Sequence, residues 1–346
     1  MTKALIQLFR NARWLLLLGM ACAEDPFPQQ SNELVFQPPA HFPAPAYSFA
    51  DNEPTPQRTA LGRRLFFDPV LSRDSSINCE HCHQQWAAFS DPLHPISHGI
   101  DNRFGFRNSP ALFNLAWHPV FMADGGIVHF ENMPIAPITD SNEMGDDLAN
   151  VLNKLNRIPS YRADFKNAYG VDVINTQVLM RALVQYMAAL VAADSRYDHY
   201  LQGNTSALNS LEREGLSLFR AHCGSCHQEP LFSDFSFRNN GLALHYADSG
   251  RRRITLLPTD EALFKVPSLR NIALTKPYMH NGSMHTLEEV IRHYSEGIED
   301  HENLDPTLPI GGFQFTEHEQ QALLAFLKSL TDETLPNDPR LDNPGE

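Results

Sequence analysis

Two short strings constrain this chain more than anything else in its 346 residues. Cys79-Glu80-His81-Cys82-His83 and Cys223-Gly224-Ser225-Cys226-His227 share the pattern Cys-x-x-Cys-His and hold four of the 5 cysteines, leaving Cys22 apart. This is the spacing for covalent attachment of a c-type haem. Two thiols three positions apart on a helical turn reach the two vinyl groups of one porphyrin, and the adjacent histidine then lies beneath the iron as its proximal ligand. A zinc site, a thioredoxin-like redox pair or two disulfides also use paired cysteines. Zinc would want its second pair within about 15–20 residues, and a redox pair has no need of a histidine after its second cysteine both times. Two complete motifs with no spare cysteine in the mature body favour two covalently bound haem c groups.

The N-terminus bears on compartment. Lys3, Arg10 and Arg13 precede or flank the apolar run Trp14-Leu15-Leu16-Leu17-Leu18, and small residues follow at Ala21-Cys22-Ala23. Residues 1–23 therefore predict an export signal, the run being shorter than the roughly 20 residues a membrane span needs. Cleavage after Ala23 would give a conventional periplasmic protein. Cleavage before Cys22 would make that cysteine the lipid-bearing first residue of a lipoprotein. The periplasm is the compartment in which c-type haems are assembled. The net charge of −14 repels phosphate backbones, which excludes nucleic acid as a partner and would steer a basic redox protein toward the surface.

Residues 24–57 carry Pro26, Pro28, Pro38, Pro39, Pro43 and Pro45 without an apolar period, and predict an extended Pro-rich arm in which no core starts. From Leu61 onward helical segments alternate with long Pro/Gly/Asn-rich loops, and strand-type alternation is scarce. The spacing predicts helices over Asp146–Arg157, Thr176–Ala193, Thr205–His222, Thr286–Tyr294 and Thr316–Leu330. Thr286 with Glu289 and Thr316 with Glu319 form capping boxes, and Leu323, Phe326, Leu327 and Leu330 form one core-facing stripe. A polar stretch at Asp194–Ser210 divides the chain into halves with one motif each. The expected organisation is a signal peptide (1–23), an arm (24–57), an N-terminal haem domain (58–200), a C-terminal haem domain (201–335) and a tail (336–346).

The strings around the motifs carry a resemblance. Leu61-Gly62-Arg63-Arg64-Leu65-Phe66-Phe67-Asp68, Arg107-Asn108-Ser109-Pro110, Pro267-Ser268-Leu269-Arg270-Asn271 running on to Pro277-Tyr278-Met279-His280-Asn281-Gly282, and Leu287-Glu288-Glu289-Val290-Ile291-Arg292-His293-Tyr294 occur in that order. Together they resemble the bacterial dihaem cytochrome c peroxidase family, including its MauG-like branch. The resemblance implies a mainly α fold of two cytochrome c-like haem domains, with long loops and little β structure. It also implies that the haem on His83 meets hydrogen peroxide, while the haem on His227 stores or relays electrons.

By the same resemblance, Glu143 and Pro137 lie on the far side of the peroxide haem. A carboxylate there can take a proton from one peroxide oxygen and return it to the other. His98 matches the loop histidine that occupies the sixth position until activation. Two positions depart from the family pattern: Met133 stands where a glutamine is usual, and Ala123 where a tryptophan lies between the haems, a gap that Trp117 or Phe121 could fill. At the second haem the family's methionine position is Tyr294, as in the MauG-like branch, with Met279 as rival ligand. A phenolate favours oxidised iron and a thioether the reduced state. Asn108, Thr275 and Pro277 match a calcium site between the domains, all oxygen donors of the kind a hard cation accepts.

The implied activity is reduction of hydrogen peroxide to water with electrons from a small cytochrome c or cupredoxin. Two other readings stand beside it. One is a MauG-like oxidase that spends both oxidising equivalents on a partner protein, and the other is a dihaem electron carrier without catalysis. A second copy of the chain is a further candidate partner.

Overall fold

The computed structural model describes residues 33–345. The expected signal segment, with Cys22, and the first part of the arm lie outside the described residues. Among the described residues, ten α-helices and one two-stranded sheet are joined by long loops with short 3-10 turns. The helices are α1 (Pro56–Phe67), α2 (Ile135–Thr139), α3 (Leu148–Arg157), α4 (Pro159–Tyr169), α5 (Thr176–Ala189), α6 (Arg196–Leu201), α7 (Ser210–His222), α8 (Arg252–Thr255), α9 (Leu287–Glu296) and α10 (Glu317–Ser329). The strands β1 (Phe237–Arg238) and β2 (Phe264–Lys265) pair antiparallel, Phe237 opposite Lys265. The fold is mainly α with little β, as the resemblance implies. No helix among the described residues is long and apolar enough to cross a membrane.

Both expected capping boxes form: Thr286 and Thr316 each accept from the backbone N–H of the glutamate three residues on, whose carboxylate reaches back to the cap. A third box, Asn209 with Glu212, starts α7 at Ser210 rather than at Thr205. An asparagine caps a helix as well as a threonine does, so the start moves to the residue whose partner glutamate lies three positions on. The stripe Leu323, Phe326, Leu327 and Leu330 is buried.

The same packing device occurs once in each half. A Cβ added at Gly62 of α1 would lie 2.0 Å from the Ala182 carbonyl oxygen of α5, and one at Gly215 of α7 would lie 1.9 Å from the Ala322 carbonyl oxygen of α10. Each glycine also meets the Cβ of an aromatic residue one turn past that alanine, Tyr186 or Phe326. The absent side chain lets the two backbones approach, and each pair forms the spine of one buried apolar cluster. The first cluster runs from Phe36 to Ala192 and includes Leu231, Leu335 and Leu341; the second runs from Tyr197 to Leu330.

Two segments differ from expectation. The arm is extended as expected, but it contributes to the core: Phe36 stacks on Phe49 at 4.6 Å, Phe42 meets Trp117 edge-on, and Trp117 Nε1 donates to the Pro43 carbonyl. The residues after α10 fold back onto the first cluster, where Leu341 is buried and its carbonyl accepts from the Tyr186 hydroxyl at 2.6 Å.

Arg270, 1% exposed, closes the junction between the clusters. It grips fully buried Asp198 of α6 through both terminal nitrogens (2.8 and 2.7 Å), donates to the Pro230 carbonyl and lies 4.5 Å over the Phe42 ring. Burial alone would raise the Asp198 carboxyl, but the hydrogen bonds and charge of Arg270, with Ser195, bring it down to about 2. Asp198→Ala leaves a buried guanidinium unpaired, and denaturant unfolding near neutral pH should register a loss of about 3–5 kcal/mol. Because the folded pKa lies below the unfolded one, this contribution is complete above about pH 4 and fades toward pH 2. The gap between wild type and variant should therefore narrow across that window.

Candidate functional site

The first motif is positioned by the end of α1. Asn78 donates to the Phe67 carbonyl at 2.7 Å and accepts from His81 N, which holds Cys79–His81 as a single 3-10 turn. His83 Nδ1 lies 3.1 Å from the Phe89 carbonyl, where Phe89 has φ 59. The second motif repeats this arrangement. Cys223 caps α7, and His227 Nδ1 lies 3.0 Å from the carbonyl of Phe232 (φ 55) and 3.2 Å from that of Pro267.

A carbonyl can only accept, so Nδ1 of each histidine carries the proton and Nε2 keeps its lone pair. Burial lowers His83 to about 4 and lowers His227 as well, keeping both rings neutral. All four motif cysteines are unpaired thiols, and burial pushes Cys79 and Cys223 up to about 12. No group of three or more His, Cys, Asp or Glu among the described residues is arranged to hold a metal ion, so the cysteines do not gather as a zinc site. Neutral imidazoles oriented by carbonyls, beside pairs of free thiols, fit two haem c groups.

Glu143 approaches the first motif on the loop after α2. Its carbonyl accepts from Ile100 N at 2.8 Å, and the next residue, Met144, donates to the Pro137 carbonyl at 3.0 Å, so Pro137 and the His98 loop flank it on two sides. The side chain keeps contact with solvent, but the surrounding protein takes part of its water away. That burial, with the charge of Asp140, raises it to about 7, and its own charge reaches Cys82. His98 packs against His81 (5.3 Å between rings), His94 (5.2 Å) and Phe104, and its Nδ1 is buried without a hydrogen-bond partner. Buried Asp91 organises this loop through His94, Ser97 and Leu93 N.

At the second motif, Tyr294 and Met279 converge. Asn240 Nδ2 lies 3.4 Å from Met279 Sδ and 3.4 Å from the Tyr294 hydroxyl. Burial raises Tyr294 to about 12, the Asn240 hydrogen bond acts against this, and Cys223 and Cys226 are close enough to add to the rise. Between the halves, Asn108 N donates to the His280 carbonyl and its side-chain amide to the Pro95 carbonyl, which brings Asn108 beside the segment that carries Thr275 and Pro277.

A family model described as di-haem cytochrome c peroxidase matches residues 56–206. The methylamine utilization protein MauG of Methylophilus methylotrophus is 33% identical over 303 residues, covering 85% of this chain and 87% of that protein. The chain belongs to the dihaem cytochrome c peroxidase family. Cytochrome c551 peroxidase of Nitrosomonas europaea is 31% identical over 280 residues, 78% of this chain and 79% of that one. Among solved structures, a MauG-like protein associated with microbial copper homeostasis superposes with a TM-score of 0.82 at 32% identity, over 90% of this chain and 99% of that one. Membership makes the protein an oxidoreductase and implies its two haem c groups.

The family's inter-haem tryptophan has no direct replacement at Ala123, whose carbonyl accepts from Lys265 N of β2 at 2.8 Å. Trp117 is taken up by the arm. Phe121 lies nearer the gap: its ring faces His118 at 6.2 Å, and His118 packs against Phe235 at 4.6 Å, eight residues past the second motif's last histidine. Lys265 Nζ joins this cluster, 3.2 Å from His118 Nδ1 and 3.0 Å from the Val120 carbonyl, and burial lowers it to about 8. Met133 packs against the first cluster as an apolar residue. Asn240, Lys265, His118 and Asp91 were not legible as site residues, since each acts through partners far away in sequence.

The matured protein should weigh more than its polypeptide by two porphyrins. Intact-mass measurement of the Cys79→Ala/Cys82→Ala and Cys223→Ala/Cys226→Ala variants should find one porphyrin fewer in each.

Proposed function

We propose that this protein reduces hydrogen peroxide to water at the haem on His83, with electrons delivered through the haem on His227 from a small cytochrome c or cupredoxin. The observation that carries the reading is Glu143: a carboxylate held beside the first motif by Pro137 and the His98 loop, where burial and Asp140 raise it to about 7. The iron supplies the binding position for peroxide and the redox chemistry that cleaves its O–O bond. Each turnover consumes one peroxide, two electrons and two protons and yields two waters. Glu143, ionised, accepts a proton from the nearer peroxide oxygen and returns it to the departing one. Pro137 limits the space around that carboxylate. His98, with one ring nitrogen free of partners, is the loop residue that would be available to the first haem before activation.

Asn108, with the carbonyls of Thr275 and Pro277, would hold calcium where the two halves meet, an oxygen donor set suited to that ion. Export to the periplasm, with Cys22 as a lipid-anchor candidate, fits the N-terminal residues and the chemistry of haem c assembly.

Tyr294 favours a second reading. A phenolate on the second iron stabilises its oxidised state. The two oxidising equivalents would then be spent on side chains of a partner protein rather than returned by a donor cytochrome. Rapid mixing separates the two: discharge of the peroxide-oxidised protein by a reduced donor cytochrome supports the peroxidase, and a long-lived oxidised state that the donor does not discharge supports partner-protein oxidation.

Glu143→Gln should slow peroxide cleavage by about 10²-fold or more. The reactive form of Glu143 is the carboxylate, so the wild-type rate should rise with pH through about 7. In the variant that rise should vanish, and a variant profile that still rises assigns the titration to another group. For Tyr294→Met the potential of the second haem should increase, and an unchanged potential removes Tyr294 from the ligand set.

A further inference from the structure

Asn240 stands at a point where one amide group faces two potential iron ligands. Its Nδ2 is 3.4 Å from Met279 Sδ and 3.4 Å from Tyr294 Oη. The two ends of an asparagine amide differ in what they can face. A thioether sulfur only accepts hydrogen bonds, so an amide oxygen turned toward Met279 would set lone pair against lone pair. Met279 therefore selects the orientation in which the NH2 group points at both neighbours, and the phenol oxygen of Tyr294 is left as the acceptor. Among the described residues, Asn240 is the one hydrogen-bond partner of that hydroxyl.

The backbone holds Asn240 firmly. Its carbonyl accepts from His293 Nε2 at 3.0 Å, which ties it to α9, the helix that carries Tyr294. The preceding Asn239 is 1% exposed, with its side chain fixed to His301 and to Gly241 N. Strand β1 leads directly into the pair. None of these contacts uses the Asn240 side chain, whose two N–H groups are free to serve Met279 and Tyr294.

We propose that Asn240 is a positioning residue for the second haem: its amide, oriented by Met279, donates to the Tyr294 oxygen and moderates the electron donation of that oxygen as the far-side ligand. This rests on the reading of Tyr294 as that ligand. A hydrogen bond to an anionic oxygen favours the ionised form and draws electron density from it. With the donor present, the oxygen donates less strongly to iron. Removing the donor leaves a stronger donor oxygen and an iron that holds its oxidised state more tightly. Met279, occupied as an acceptor of the same amide, acts by orienting it.

The test uses the haem-loaded protein, with redox titration and the phenolate-to-iron charge-transfer signature as readouts, and the first haem as internal control. Asn240→Leu keeps the volume and removes both donors. At a fixed poise it should raise the oxidised-to-reduced ratio of the second haem at least threefold, about 30 mV downward for a one-electron couple, with the phenolate signature shifted but present. Met279→Leu should retain the phenolate signature and shift the potential in the same direction by less, since the amide is no longer held in one orientation. An unchanged potential and signature in Asn240→Leu overturns the role of Asn240 while leaving Tyr294 as ligand. Loss of the far-side ligand in Met279→Leu, or a wild-type spectrum without the phenolate signature, overturns the reading of Tyr294 and this inference with it.

Discussion

The interaction on which the architecture depends is a helix crossing tight enough to require a glycine, made once in each half. Gly62 lies against Ala182, and Gly215 against Ala322, at distances that no side chain at the glycine could share. Each crossing joins the helix that leads toward a Cys-x-x-Cys-His motif to the last long helix of its own half. Interiors pack as densely as organic crystals, so such a contact sets a position rather than an average. The motif that follows inherits that position. From the end of α1, Asn78 locks the first motif; at the end of α7, Cys223 is itself the cap. In both halves a phenylalanine at positive φ then turns its carbonyl onto the motif's histidine. The repeat is thus one of mechanism: the same steric device and the same ring-orienting hydrogen bond, built from different loops.

The two halves are also bound to each other by contacts that neither could satisfy alone. Arg107, next to Asn108, pairs with fully buried Asp124 at 2.7 Å and with Asp248 at 2.6 Å; Arg253 joins Asp124 at 2.6 Å. Ion pairs so placed cost much to desolvate and stabilise only as complete networks, so their clearest effect is to fix register. Arg270 does the same at the other junction, and the chain end packs its Leu341 into the first cluster after passing through the second. Buried charges and a chain that crosses between clusters more than once thus hold the two motif-bearing halves together.

What the sequence made legible was whatever repeats locally. The motifs, both capping boxes and the core stripe of α10 are patterns within a few residues, each with one physical cause, and the structure contains them. The arm reads as a stretch in which no core starts, and the tail draws no expectation, for the opposite reason: Phe36, Phe42 and Leu341 have no periodic neighbours, and their burial follows from where α1, α5 and Trp117 leave room. The neighbourhood of Glu143 depended on resemblance, because a loop carboxylate is by itself a solvated group. Its raised pKa comes from burial in the folded chain and from the charge of Asp140. Asn240 and Lys265 carried no local signal at all. Their chemistry exists only where β1, β2 and α9 bring distant side chains together.

The contrast between the two iron sites follows from what surrounds them. On the first, the groups brought near are a carboxylate that can change its charge near neutrality and a histidine with an unsatisfied nitrogen, both on loops. Groups on loops can move and exchange protons, as peroxide chemistry requires. On the second, Tyr294 sits on a helix opened by a capping box, and its oxygen faces an amide whose backbone is anchored on both sides. A site held that firmly suits a group that must change oxidation state without changing shape. The two sites therefore differ in the elements that present their groups: loops beside the first motif, a capped helix and an anchored amide beside the second.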